Sequence, residues 1–93
     1  MPIKSVRRTE RFQKEYDALT PAMKKEVKDA LRDLLVDPIP ASRRFHSLKG
    51  YRNPKLFTID VTMNKSHKIS IEIEGTCATL RRIATHKEID RAP

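Results

Sequence analysis

The sequence predicts an α+β domain in the order β-α-α-β-β-β, a helical hairpin packed on one face of a four-stranded, mainly antiparallel sheet. Three observations predict it. The apolar residues recur with a helical period between Thr9 and Leu35, the period changes to two after Pro54, and clusters of turn residues separate the segments. With 93 residues there is room for one domain, read here as spanning 1–93, and no internal repeat or linker divides it.

Each element follows from its residues. Ile3 to Arg8 alternates as a short first strand. Thr9 is a plausible N-cap, after which Phe12, Tyr16 and Leu19 fall on one helical face. Thr20-Pro21 restarts a helix, because threonine caps and proline is tolerated at the first helical position, where its missing N–H would be unpaired anyway. Met23, Val27, Ala30, Leu31, Leu34 and Leu35 form the apolar stripe of this second helix, with Lys24, Lys25, Lys28 and Arg32 elsewhere around it. Asp37-Pro38-Ile39-Pro40 ends it. The segment from Ala41 to Pro54 reads as a polar, basic loop. Phe57, Ile59, Val61 and Met63 then alternate with Thr58, Asp60 and Thr62, and Asn64-Lys65-Ser66 supplies a turn. Ile69, Ile71 and Ile73 alternate with Lys68, Ser70, Glu72 and Glu74; after the Glu74-Gly75-Thr76 turn, Cys77 to Ala84 makes the last strand. Helices on one face leave the other open, and the polar and basic strand residues are expected to collect there.

Composition narrows the function. Twenty Lys and Arg against twelve Asp and Glu give a net charge of +8, a field that attracts polyanions, nucleic acid above all. No apolar run approaches the roughly 20 residues of a membrane span. MPIKSVRRTE contains no apolar stretch of the signal-peptide type, so the expected location is the cytoplasm. Cys77, the single cysteine, excludes an internal disulfide and a cysteine-based zinc cluster, and reads as a small buried hydrophobe. Two glycines cannot build a phosphate-cradling loop, and there is no H-E-x-x-H or G-x-S-x-G. No cofactor and no metal are expected.

What remains is acid–base and electrostatic chemistry on a phosphodiester. RNA carries its own nucleophile in the 2′-OH, so an enzyme has only to move protons and stabilise the pentacoordinate anion. Histidine titrates in the range that suits either proton transfer, and arginine grips two phosphate oxygens. Arg81-Arg82-Ile83-Ala84-Thr85-His86 holds both types at the end of the last strand. Arg82 and His86 would lie roughly 13 Å apart on an extended strand, so they converge only if the chain turns after Ala84. Regular alternation puts Arg81 and Arg82 on opposite faces, allowing one of them into a site. Lys68 and His67 begin the third predicted strand near that end; parity places His67 with the isoleucines unless the strand bends. His46 reads as a surface residue of the basic loop.

Arg11-Phe12-Gln13-Lys14-Glu15-Tyr16, Leu48-Lys49-Gly50-Tyr51-Arg52-Asn53 and Leu80-Arg81-Arg82-Ile83-Ala84-Thr85-His86-Lys87-Glu88-Ile89 together resemble the RelE/ParE toxin superfamily over essentially the whole chain. The resemblance implies the RelE-like, microbial ribonuclease-type fold. It also implies the toxin of a type II toxin–antitoxin pair, in many members a ribosome-dependent endoribonuclease acting on mRNA. The terminal R-x-x-T-H implies phosphate stabilisation by Arg82 and proton transfer by His86, and the basic residue opening the third strand maps to Lys68. Thr58 and Asp60 stand where RelE-like members carry lysines and no tyrosine lies near the C-terminus, so the histidine-containing variant fits best; the glycine often found before T-H is Ala84 here, a departure that stiffens the turn meant to bring His86 inward.

The expected catalytic set is therefore His86, Arg82, Lys68 and His67, with Lys49, Arg52, Lys55, Arg43, Arg44 and Arg81 holding RNA. The expected partners are a cognate antitoxin in a hetero-oligomer, the ribosome and mRNA, with no membrane. The alternatives are a ParE-like inhibitor of DNA gyrase that cleaves nothing, or a weakened relative that mainly binds its antitoxin.

Overall fold

In the computed structural model residues 3–52, 55–62, 64 and 66–93 are described, with residues 51 and 52 as backbone alone. Met63 and Lys65, expected in a strand and its turn, and Asn53 and Pro54 lie outside the described residues. The elements are β1 (Ser5–Arg8), α1 (Glu10–Asp17), α2 (Pro21–Leu34), a 3-10 turn (Ala41–Arg43), β2 (His46–Arg52), β3 (Lys55–Asp60), β4 (His67–Glu74), β5 (Cys77–Thr85) and α3 (His86–Arg91). The sheet order is β1-β5-β4-β3-β2; β1 runs parallel to β5 and every other pairing is antiparallel.

The α+β class holds, with two additions. The basic segment expected as a loop supplies a fifth strand, β2, and the expected tail supplies a third helix, α3. Among the described side chains of β2 only Leu48 is a half-buried apolar one, and no period-two pattern announces the strand. It is an edge strand held by backbone pairing, and its register slips between Ser47 and Arg52, where Gly50 takes φ 87°.

Local capping agrees with the sequence. The Thr9 hydroxyl accepts from the Phe12 N–H at 3.1 Å and the Thr20 hydroxyl from the Met23 N–H at 3.2 Å, with Pro21 opening α2. Phe12, Val27, Ala30 and Leu34 of the helical hairpin are fully buried against Ile59, Val61, Ile69, Ile71, Leu80 and Ile83 of the sheet. Each such side chain contributes roughly 1.5–3 kcal/mol by leaving water.

β1 reaches β5 only as far as Leu80, and α1 closes the edge beyond it. The Thr9 hydroxyl donates to the Leu80 or Arg81 carbonyl (3.0 and 2.9 Å), and Glu15 Oε1 accepts from the Ile83 N–H at 3.3 Å. Helix side chains thus replace the ladder bonds a longer β1 would supply.

Candidate functional site

The second face of the sheet is polar where the first is apolar. Register places Thr58, Ser70 and Arg82 side by side across β3, β4 and β5, with Asp60, Lys68 and Ala84 in the next row. Thr58, Asp60, Lys68, Ser70 and Arg82 are all buried. The face is not open as expected: α3 packs on β4 and β5 and buries Ile89 completely. The turn that launches α3 is a capping box, in which the Thr85 hydroxyl accepts from the Glu88 N–H (3.3 Å) and its own proton goes to Glu88 Oε1 (2.9 Å). The hydrogen bonds that its carboxylate accepts from Thr85, ahead of the Arg82 charge, hold the Glu88 carboxyl below its usual range.

The chain does turn after Ala84, and among the described residues no contact joins His86 to Arg82. The His86 backbone N–H still donates to the Ser66 carbonyl at 3.0 Å, continuing the β4–β5 ladder, and α3 then folds back over the sheet. His86 Nε2 lies 2.7 Å from Asp90 Oδ2, and Asp90 Oδ1 lies 3.9 Å from the Lys68 ammonium. Lys68 and Arg82 occupy diagonal positions across β4 and β5, roughly 7–8 Å apart at Cα. His86, Lys68 and Arg82 thus all meet α3, and Asp90, which sequence reasoning did not single out, links the first two.

Arg82 is held on several sides. Its Nη2 lies 2.7 Å and its Nε 3.1 Å from Glu15 Oε2, while Nη1 donates to the Ala92 carbonyl at 2.9 Å. Glu88 stands 3.8 Å away. The Glu15 hydrogen bonds, outweighing desolvation, push the guanidinium further toward its charged form. Among the described residues three of its five N–H donors are engaged in this way, which leaves one on each terminal nitrogen.

The structure corrects the expectation that Arg81 and Arg82 point to opposite faces. Ser70 pairs with Arg82 and Ile71 with Leu80, so Arg81 is the extra residue of a β-bulge. The bulge breaks alternation and turns both arginines into one cavity of about 280 Å³, lined also by Thr9, Arg11, Glu72, Thr79 and Pro93. Arg81 Nη1 lies 3.3 Å from Glu72 Oε1, and its Nε is buried without a partner among the described residues.

The remaining expected residues are dispersed. His67 faces away from Lys68, paired in register with Thr85, and its Nδ1 bonds the Ser66 hydroxyl at 2.8 Å. Among the described residues no bond joins it to His86, Lys68 or Arg82. Arg43 ties α2 to the end of β3, its Nε 2.8 Å from Asp33 Oδ2 and its Nη1 donating to the Val61 carbonyl at 2.9 Å. That guanidinium is engaged inside the fold. Arg44 is exposed, 4.0 Å from Asp60; Lys49 and Lys55 are exposed on β2 and β3, with the Lys55 ammonium 5.6 Å over the Phe57 ring. The Arg52 side chain lies outside the described residues. Across the sheet, exposed His46 bonds the Arg44 carbonyl at 2.7 Å. Cys77 is half-buried at the start of β5. No cluster that could hold a metal occurs among the described residues, and none of their helices is long and apolar enough to cross a membrane.

No protein-family model matches the chain, and no curated protein matches it. Solved structures do. The toxin of the RelB-RelE antitoxin-toxin complex from Methanococcus jannaschii superposes with a TM-score of 0.64 at 22% identity, covering 94% of this chain and 99% of that one. A chain of the E. coli DinJ-YafQ toxin-antitoxin complex gives 0.70 at 15% identity, covering 94% and 97%. A conserved hypothetical protein from Helicobacter pylori gives 0.65 at 20% identity, covering 91% and 97%. The chain therefore has the fold of the RelE-type toxins over more than nine-tenths of its length.

Proposed function

We propose that this chain is the toxin of a toxin–antitoxin pair and that it cleaves mRNA on the ribosome. The observation that carries the reading is the fold-back of α3, which gathers His86, Lys68 and Arg82 at one end of a polar sheet face. The fold shared with toxins solved in complex with RelB and DinJ supports both the toxin assignment and an antitoxin partner.

The chemistry needs no cofactor. A base removes the 2′-OH proton, O2′ attacks the adjacent phosphorus, the P–O5′ bond breaks, and the departing O5′ takes a proton. The products are a 2′,3′-cyclic phosphate (or the 3′-phosphate after hydrolysis) and a 5′-hydroxyl. His86 is the proton-transfer group, being half-exposed and therefore reachable by a large substrate. Arg82 offers the phosphorane its two free N–H donors, and Lys68 adds a point charge without a bidentate grip. His67, which faces away from Lys68, takes no part in this scheme. Arg81, on the bulge, Arg44, Lys49, Arg52 and Lys55 attract the RNA backbone by charge. Arg43 acts through the fold it braces.

The test is primer extension on an mRNA in a purified translation system, with and without ribosomes. Wild type should cut only when ribosomes are present, and His86→Ala should cut at least about 10²-fold more slowly with an unchanged fold. One observation favours a non-cleaving, ParE-like binder: Arg82 is already engaged by Glu15 and Ala92. If wild type yields no cuts while its expression induces the SOS response, that second reading replaces the first.

A further inference from the structure

We infer that the cavity beside the Arg81 bulge holds a backbone phosphate of RNA, the neighbour of the one that is cut, and that Arg81 grips it in exchange for Glu72. Which phosphate is cut rests on the nuclease reading; the binding of a phosphodiester in the cavity does not.

Three arginines, Arg11, Arg81 and Arg82, line this cavity of about 280 Å³, and Glu72 is the one acidic side chain among the described residues there. Arg11 is exposed, and Arg82 is already held by Glu15. Arg81 differs from both. Its one side-chain hydrogen bond among the described residues runs from Nη1 to Glu72 Oε1 at 3.3 Å, long for a charge-assisted bond. Its Nε is buried without a partner among those residues. An unmade bond on a buried donor costs free energy, and a pair whose side chains are 36% and 34% exposed returns little. Stability therefore accounts for neither the bulge nor the arginine on it.

A bulge re-aims a side chain, and what this one re-aims is a planar fork that matches two oxygens of a phosphate. With Nη1 on Glu72, the edge formed by Nε and Nη2 is left over. Turning the guanidinium off Glu72 into the cavity gives that edge two phosphate oxygens. The orphan donor is then satisfied, and one long bond is replaced by two charge-assisted ones. Thr79, which faces Glu72 in register, adds a hydroxyl to the same wall.

Register also fixes where this phosphate lies. Lys68 pairs with Ala84, Ser70 with Arg82 and Glu72 with Thr79, so the cavity begins at Arg82 and runs away from Lys68 and His86. From the Ser70 row to the Glu72 row is two residues, roughly 7 Å along the strand. Neighbouring phosphates of an extended RNA strand are separated by a step of that order. A strand with its cut phosphate at Arg82 therefore has the next one at Arg81.

The experiment measures binding of a short single-stranded RNA, fully 2′-O-methylated so that it cannot be cut. Each linkage in turn is made a neutral methylphosphonate, and the RNA is prepared with and without a 5′-phosphate. Wild type should lose about tenfold in affinity when one particular internal linkage is neutralised, and Arg81→Ala should bind about tenfold more weakly and ignore that linkage. The slope of log affinity against log salt should fall by about 0.7 in Arg81→Ala. Arg81→Lys, which keeps the charge without the fork, should fall between the two. Glu72→Gln, which releases Arg81, should bind roughly two- to fivefold more tightly. Equal sensitivity to every linkage in wild type and Arg81→Ala overturns the inference, as does a response confined to the 5′-phosphate. Unchanged or weaker binding in Glu72→Gln, or no binding by wild type, overturns it too. If binding follows the expected pattern and wild type cuts no mRNA, the nuclease reading alone fails and the phosphate site stands.

Discussion

The two faces of the sheet bury their central side chains by opposite means. Under the helical hairpin, Ile59, Val61, Ile69, Ile71, Leu80 and Ile83 meet Phe12, Val27 and Leu34, and burial itself is the driving force. On the opposite face, Thr58, Asp60, Lys68, Ser70 and Arg82 are buried with polar or charged groups that gain nothing from leaving water unless each finds a partner. The first face tolerates any apolar set of the right volume, while the second depends on individual pairings. Stability is therefore expected to reside mainly in one face and chemistry in the other, though not without exchange, since Glu15 reaches from the hairpin to hold Arg82.

The largest effect should come from the apolar face. Phe12→Ala should cost roughly 3–5 kcal/mol in denaturant unfolding, a large share of the stability of a domain this size. A loss below about 1 kcal/mol would mean that the two faces do not divide stability as described.

Next comes the contact that joins the two faces. Glu15→Ala should destabilise by roughly 2–4 kcal/mol, because it strands the buried Arg82 guanidinium and leaves the Ile83 N–H unpaired; the lower end reflects the partial exposure of Glu15. Wild-type stability in that variant would show that the pair contributes nothing to the fold and would leave Arg82 available for phosphate.

A smaller effect belongs to α3 itself. Thr85→Ala should cost about 1 kcal/mol, read as faster amide exchange in α3 than in β4 or β5. Acid should act on the same cap. The Glu88 carboxyl titrates below its usual value, so its contribution is present above the ordinary carboxylate pKa of 4.5 and is lost as pH falls through the lower folded value. Amide exchange measured down that range should show α3 loosening before the sheet does, and simultaneous loosening would argue against a separately capped helix.

The smallest effect is the most discriminating for the polar face. The Ser70 hydroxyl is fully buried with no partner among the described residues. Ser70→Ala should therefore leave stability within about 0.5 kcal/mol of wild type, or raise it. A loss above about 1 kcal/mol would reveal a partner for that hydroxyl and a better-satisfied face than described.

Much of this was legible from residue order. Thr9, Thr20 and Pro21 marked the helix starts because caps are local, and the isoleucines of β4 marked a strand because alternation is local too. His86, Arg82 and Lys68 could be singled out since their types suit phosphodiester chemistry. β2 was missed because an edge strand can be held by its backbone alone, leaving its side chains free to be basic and exposed. α3 had a legible sign that went unused, the T-x-x-E box of Thr85 and Glu88.

By itself, then, the chain determined what is set over a few neighbouring residues: the caps, the periods, the apolar set of the core, the net positive charge and the list of groups capable of chemistry. The spatial arrangement of those groups was decided only by tertiary structure. A one-residue bulge at Arg81 reverses the side-chain parity expected there, and α3 packing through Ile89 brings Asp90 to His86 and Lys68 while Glu15 comes to Arg82 from 67 residues away. The reason is physical. Capping and periodicity act through adjacent backbone groups, whereas ion pairs across a sheet exist only after long-range packing has fixed both partners, and no local pattern encodes that distance.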